Sequence, residues 1–264
     1  MKLRILSDLH VEFFPFDAPQ VEADAVILAG DIGVRMQGLD WAHAQFHASG
    51  VPVLYVPGNH EFYHDDIEQW HAAAATRSAQ YGIVLGTMGS FRLEKEGEQP
   101  VRVLGTTLWT DFALFEDWTV EQAGRRVQMA LADYSAIRYR GANLRWPDTL
   151  EFHKRELTWL VDAAKQARAA GEKVVVVTHH APSLHSALAV YQSDPVTAGF
   201  ASNLESLVAK YVDVFVHGHM HNSSNYYLGP CRVIANPRGY PMQRWNPNTR
   251  FENQQFNPTL VVEV

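Results

Sequence analysis

Val51-Pro52-Val53-Leu54-Tyr55-Val56-Pro57-Gly58-Asn59-His60-Glu61 changes character within two residues. Val51 to Val56 is a short apolar run, and it reads as a buried strand. Pro57-Gly58 breaks it, and three side chains able to bind a cation or move a proton follow at once. Four other runs repeat the plan. Leu3 to Leu6 leads into Asp8-Leu9-His10, and Ala25 to Ala29 into Gly30-Asp31. Val174 to Val177 leads into Thr178-His179-His180, and Val212 to Val216 into His217-Gly218-His219-Met220-His221. Strands apolar on both faces predict a sheet covered by helices. The clearest helix is expected from about Thr149 to Ala170, where Leu157, Leu160, Val161 and Ala164 recur at helical spacing. Asp148 with Glu151 resembles a capping box, and Gly171 supplies the stop. In open α/β sheets, ligands bind beyond the carboxyl ends of the strands. Five strands each delivering Asp, Asn or His to one edge therefore predict a polar cluster there.

Seven of these side chains form a coherent donor set: Asp8, His10, Asp31, Asn59, His179, His219 and His221. Oxygen and imidazole donors together suit divalent manganese, iron, cobalt, nickel or zinc. Cys231 is the only cysteine, which excludes a thiolate zinc site and an intramolecular disulfide. Asp8 and His10 are two apart, as are His219 and His221, a spacing that shares one face of a regular strand. Seven donors exceed the needs of one tetrahedral ion. Two ions sharing a bridging carboxylate, roughly 3.5–4 Å apart, would use them all.

The order Asp-x-His, Gly-Asp, Gly-Asn-His-Glu, His, Gly-His-x-His, spanning positions 8 to 221, resembles the calcineurin-like metallophosphoesterase superfamily. The resemblance implies an α/β fold, a four-layer α/β/β/α sandwich with two mixed β-sheets. It implies that Asp8, His10 and His221 hold one ion, that Asn59, His179 and His219 hold the other, and that Asp31 bridges them. His60 would sit beside the phosphate and protonate the leaving group. In similar His-His-x-Pro segments the first histidine is the ligand, so His179 is taken over His180. Gly105-Thr106-Thr107-Leu108-Trp109-Thr110-Asp111-Phe112, Thr178 to Ser183 and Asn236-Pro237-Arg238-Gly239-Tyr240 are similar to signatures of a bacterial subgroup of unsettled substrate. Gly33 stands where many members carry a polar residue. The implied activity is hydrolysis of a small phosphate ester, diester ahead of monoester, by hydroxide generated on two divalent ions. Manganese is favoured, with iron, zinc, nickel or cobalt as alternatives. The rival readings are a non-catalytic interaction module of the same fold and a nuclease within it. Lost ligands would mark the module, and here every position is filled.

The bulk composition fits this reading. With 264 residues and 47% hydrophobic content, residues 1–264 are expected to form one metallophosphoesterase domain with an aromatic-rich insert at about 107–147. A net charge of −7, from 22 basic and 29 acidic residues, leaves no basic footprint for long nucleic acid or an anionic membrane. The expected partner is a small phosphorylated substrate. No apolar stretch reaches the length of a signal peptide or membrane span, so a cytoplasmic location is expected. His60-Glu61-Phe62-Tyr63-His64 matches the zinc-protease signature H-E-x-x-H, but that motif needs a helix and Gly58-Asn59 places His60 in a turn. Within the insert, Trp109, Phe112, Phe115, Trp118, Tyr134 and Tyr139 read either as a satellite core or, through Trp109 and Trp118, as a substrate wall. Arg238 reads as a partner of the substrate phosphate or of a surface carboxylate. His217 reads as a satisfied strand histidine or as support behind a ligand. His43, His47, His71, His153 and His185 belong to no motif and are expected on the surface or on helices.

Overall fold

The computed structural model describes residues 1–246 and 248–264. All five expected strands form. They are β1 (Lys2–Leu6), β2 (Ala25–Ala29), β3 (Val53–Val56), β9 (Lys173–Thr178) and β10 (Val214–His217). The strands not anticipated are β4 (Val84–Leu85), β5 (Gly89–Leu93), β6 (Val101–Thr106), β7 (Arg138–Tyr139), β8 (Ala142–Asn143), β11 (Ser224–Leu228), β12 (Cys231–Ala235) and β13 (Val261–Glu263). One sheet runs β13-β1-β2-β3-β4 and the other β11-β12-β10-β9-β6-β5, while β7 and β8 pair alone. Parallel pairs fill both sheet centres, and β13, β11 and β5 add antiparallel edges, so both large sheets are mixed.

The apolar strands have two apolar faces because two different partners cover them. Leu3, Ile5, Ile27, Leu54 and Val56 meet Val103, Val175, Val177 and Val216 in a core between the two sheets. Alternate residues turn outward. Leu6, Val26, Leu28 and Tyr55 pack under Leu39 and Phe46 of α1 (Gln37–Phe46) and Trp70 of α2 (Ile67–Tyr81). On the other side Val174, Val176, Phe215 and Val233 pack under α5 (Trp146–Ala169) and α6 (Glu205–Tyr211). The result is the α/β/β/α sandwich, with one face of each sheet covered by the other sheet rather than by helices. No helix among the described residues is long and apolar enough to cross a membrane.

Helix α5 starts three residues earlier than Thr149. Pro147 occupies its first turn, and the Asp148 carboxylate reaches back to accept the Arg145 N–H at 3.0 Å, so Asp148 is the third helical residue of a capping box on Arg145 rather than the N-cap itself. The aromatic segment between β6 and α5 carries α3 (Val120–Ala130) and α4 (Asp133–Ala136). Its Trp109, Phe112, Val127 and Tyr134 join the core under α1 and α2, which is the packing alternative of the two.

Candidate metal centre

The carboxyl ends of β1, β2 and β3 in one sheet and of β9 and β10 in the other open at a shared edge, where all seven expected donors meet. The chain does not deliver them from regular strand, however. Asp8 and His10 lie past Leu6, and His219 and His221 past His217, in left-handed turns. Asp8 (φ 49°), His10 (46°), Asp31 (53°), His219 (67°) and His221 (52°) all adopt a backbone that non-glycine residues seldom take. Such strain persists only where surrounding bonds impose it, and it concentrates at functional sites. Here the bonds are Asp8 N–H to Gly30 O (2.9 Å), His10 N–H to Asp31 O (3.0 Å) and Gly218 N–H to His179 O (3.0 Å). The turn, not the two-residue period of a strand, aims each pair at one place. Glycine is needed at two steps. At Gly30 (φ 88°) a Cβ would lie 2.2 Å from His179 Nδ1, and at Gly58 it would lie 2.2 Å from Asp31 Oδ1.

The donors fall into two groups that share Asp31. Asp8, His10, Asp31 and His221 offer ligand atoms all within 4.8 Å of one another, and so do Asp31, His179 and His219. Asn59 joins the second group through its Oδ1, 3.0 Å from His179 Nε2. All are buried except the half-buried His221. The outer nitrogens are committed elsewhere: His10 Nδ1 to Glu12 (3.0 Å), His221 Nδ1 to Glu252 (2.5 Å) and His179 Nδ1 to the Ala29 carbonyl (3.1 Å). Carboxylates and carbonyls behind metal-bound histidines fix the tautomer in this way. His10 Nε2 and His221 Nε2 therefore face each other at 3.2 Å, while buried Asp8 Oδ2 and His219 Nε2 have no hydrogen-bond partner among the described residues. Buried lone pairs converging on carboxylates are costly unless a cation or a proton sits among them. This donor set fits two divalent cations.

Comparison with known proteins gives the family and the fold. Residues 1–223 match the calcineurin-like phosphoesterase family. The chain belongs to that family. An uncharacterized protein of Acanthamoeba polyphaga mimivirus is 22% identical over 296 residues, covering 99% of this chain and 96% of the viral one. Among solved structures, phosphopantetheinyl hydrolase from Mycobacterium tuberculosis superposes with a TM-score of 0.68 at 18% identity, over 92% of this chain and 91% of its own. A dimetal phosphatase from Danio rerio gives 0.52 at 14% identity, over 90% and 87%. At these identities the structural likeness bears on the fold.

The phosphoesterase core is braced by three further acidic residues. Glu61, the acid of the protease-like motif, is buried and gathers the N–H groups of Asp31 (3.1 Å), Ile32 (2.9 Å) and Gly58 (2.7 Å) and the Tyr55 hydroxyl (2.7 Å). It ties the second and third ligand turns together and is no protease base: His60–Phe62 is a single 3₁₀ turn and His64 (φ 61°) leaves it. Asp133 accepts from Asn59 Nδ2 (2.8 Å) and from the Tyr63 hydroxyl (2.6 Å), which orients the Asn59 oxygen toward His179. Glu12 bridges His10 and His60. Glu61 closes the Gly-Asn-His-Glu motif and Glu12 lies two residues past His10, whereas Asp133 sits 74 residues from the side chain it orients and carried no local signal.

His60 stands beside the donors without joining either group that shares Asp31. Its N–H donates to Asp31 Oδ1 (2.9 Å), Nδ1 meets Glu12 (3.2 Å), and Nε2 meets the Tyr240 hydroxyl (2.7 Å). Burial opposes its charged form, but Asp31 and Glu12 outweigh burial and raise its pKa. His180 turns away, Nδ1 toward the Thr107 carbonyl (3.3 Å), and burial followed by His179 drives its pKa down to about 3. His217 is a satisfied strand histidine between the Gly218 carbonyl and Ser186 Oγ. His153 is buried, not superficial, and its Nδ1 meets the Leu108 carbonyl at 2.8 Å.

Three expectations about the substrate pocket change. Arg238 faces neither the cleft nor a surface carboxylate: it is buried, donates to the carbonyls of Leu9, Phe14 and Pro15, and packs over Phe251 and Phe16. It clamps the loop that carries His10. Trp109 is buried beside Phe62 and His180, and Trp118 packs on the outer core. Neither lines the cleft of about 570 Å³ that opens over Asp31, Asn59, His219 and His221. The aromatic segment does border that cleft, but through Leu131, Ala132 and Asp133.

Protonation of the metal-free centre yields a measurable consequence. Burial disfavours charge on His179, yet Asp31 and Asp8 prevail and lift it to about 9; burial also opposes His221, but Asp8 and Glu252 lift it to about 10. Both therefore hold protons at pH 7, and as ligands both must lose them. Calorimetric metal titration in buffers of different ionisation enthalpy is expected to report release of about two protons per chain. Affinity should climb as pH rises through about 9 and 10 and level off above that, where both histidines are neutral. The same shifts stabilise the metal-free fold fully below the unfolded value of 6.5, and that contribution fades as pH rises through 9 and 10. Metal binding without proton release would contradict the assignment of these two ligands.

Proposed function

We propose that this protein hydrolyses small phosphate esters with two divalent ions. Asp8, His10 and His221 would hold one, Asn59, His179 and His219 the other, and Asp31 would belong to both sets. The observation that carries this reading is the pair of donor groups sharing Asp31, with buried Asp8 Oδ2 and His219 Nε2 unpartnered among the described residues. The ions, when bound, supply Lewis-acid activation of water and neutralise phosphoryl charge. The chain itself supplies orientation and a proton. Glu12 and Glu252 hold His10 and His221 with their Nε2 atoms inward, and Asp133 holds the Asn59 oxygen in the same way. Nδ1–H of charged His60 donates to Glu12 and its Nε2–H to Tyr240 Oη, leaving the Tyr240 hydroxyl proton free to point into the cleft that Tyr240 lines. The leaving oxygen takes its proton from Tyr240, and His60 replaces it.

The test is a panel run on protein stripped of metal and reloaded with manganese, iron, zinc, cobalt or nickel. It holds aryl and alkyl phosphate mono- and diesters, cyclic nucleotides, a phosphopantetheinyl ester and long DNA and RNA. Small esters should turn over, diesters ahead of monoesters and manganese ahead of the other metals, while long nucleic acid is spared. Absence of turnover with every metal would favour the interaction module. Preference for nucleic acid with steep salt dependence would favour the nuclease.

A further inference from the structure

Beyond the donor atoms, the charged side chains on the cleft wall are acidic and the rest are apolar or neutral, the neutral polar ones being Tyr63, Thr197, Asn222 and Tyr240. Leu131, Leu188, Tyr191, Val196, Phe200 and Met220 supply the apolar part, and Asp133, Asp194 and Glu252 the acidic part. Among the described residues no Lys or Arg lines it. Arg244, whose guanidinium carbon lies 3.9 Å from the Phe13 ring centroid, does not reach the lining. The apolar wall begins at the ligands, because the Phe200 ring stacks on His219 with centroids 4.5 Å apart. It runs out to the surface, where Leu188 is 50% exposed and Tyr191 55%. Adjoining apolar side chains left in water at the mouth of a cleft mark a binding surface. The segment that carries them is pinned in place: Thr197 Oγ1 donates to the Tyr191 carbonyl (2.7 Å), Val196 N–H to Asp194 Oδ1 (2.9 Å) and Asn222 Nδ2 to the Ser186 carbonyl (3.0 Å).

We propose that this cleft selects phosphate esters whose organic part is uncharged and apolar, and rejects a second anionic group on the same molecule. The proposal rests on the phosphoesterase reading for placing the phosphate at the metal centre. An apolar substituent leaving that centre trades water for Phe200, Tyr191 and Leu188. A second carboxylate or phosphate on it would instead meet Asp194, with no Lys or Arg on the wall to offset it, and Glu252, whose charge only His221 meets.

Alkylphosphonates test this without turnover, because the P–C bond survives the enzyme. Binding to metal-loaded protein is measured by calorimetry for methylphosphonate, octylphosphonate and 7-phosphonoheptanoate, which has a carboxylate at the far end of a similar chain. Octylphosphonate should bind at least about tenfold more tightly than methylphosphonate, each buried methylene adding up to about fourfold. The carboxylate analogue should bind at least about tenfold more weakly than octylphosphonate, a gap that narrows with salt. Ala132→Lys and Leu188→Lys alter exposed positions on the lining and should shrink or reverse that gap with metal content unchanged. The proposal is overturned if the wild type binds the carboxylate analogue as well as octylphosphonate, if chain length has no effect, or if neither lysine moves the ratio. Selective binding without hydrolysis of octyl phosphate esters would sink the hydrolase reading and leave the selectivity standing.

Discussion

Asp31→Asn is expected to lose both ions and all measurable turnover while the protein stays folded. Asp31 is the one side chain common to both donor groups, and its Oδ2 lies 3.4 Å from His179 Nε2 and 3.8 Å from His10 Nε2. Removing its charge weakens both groups at once and removes the leading influence that raises the His179 pKa against burial. The fold should tolerate the change for two local reasons. Asparagine accepts a left-handed backbone such as φ 53° better than most residues. An amide oxygen at Oδ1 still accepts the His60 N–H. Elemental analysis should find the metal content depleted at both sites, with thermal unfolding of the metal-free variant close to that of metal-free wild type. Two ions retained at wild-type affinity would remove Asp31 from the bridging role.

His60→Ala is expected to keep both ions and lose about 10²–10⁴ in kcat, the usual weight of a general acid. Glu12 remains held by His10, so the ligand turn keeps its support. The loss should be large for alkyl esters and smaller for 4-nitrophenyl esters, whose leaving groups depart without a proton. Tyr240→Phe keeps the ring that packs on His10 and His221 and deletes the hydroxyl bonded to His60. If that hydroxyl passes the proton on, the variant should show the same alkyl-over-aryl bias. Equal losses on both ester classes would argue against proton donation. Loss of metal from His60→Ala would make His60 a ligand.

What the sequence made legible followed from local chemistry. Each central strand is a brief apolar run cut off by a polar donor, so β1, β2, β3, β9 and β10 and the seven donors could be read together. Arg102 and Arg232 interrupt the interior strands β6 and β12 as Arg4 interrupts β1, but none of the seven donors follows them to mark the strand end, and the edge strands β5 and β11 were hidden because their outward residues are polar or half-exposed. The turns that aim the donors left no periodic signal, since a left-handed aspartate or histidine looks like any other in a sequence. Asp133 reaches the centre from the start of α4, and Tyr240 and Glu252 from the segment after β12, far in sequence from Asn59, His60 and His221. Arg238 misled for a related reason: an arginine near an expected phosphate site reads as an anion binder, and only the fold shows three carbonyls closing around its guanidinium. The aromatic segment held a mixture that composition alone could not separate. Its tryptophans went to the core, and Leu131 went to the cleft.

The most direct test of the central claim is anomalous diffraction from crystals of the manganese-loaded protein. The account predicts two peaks flanking the Asp31 carboxylate, one against Asp8, His10 and His221, the other against Asn59, His179 and His219. A single peak, or peaks that leave Asp31 uncoordinated, would contradict it.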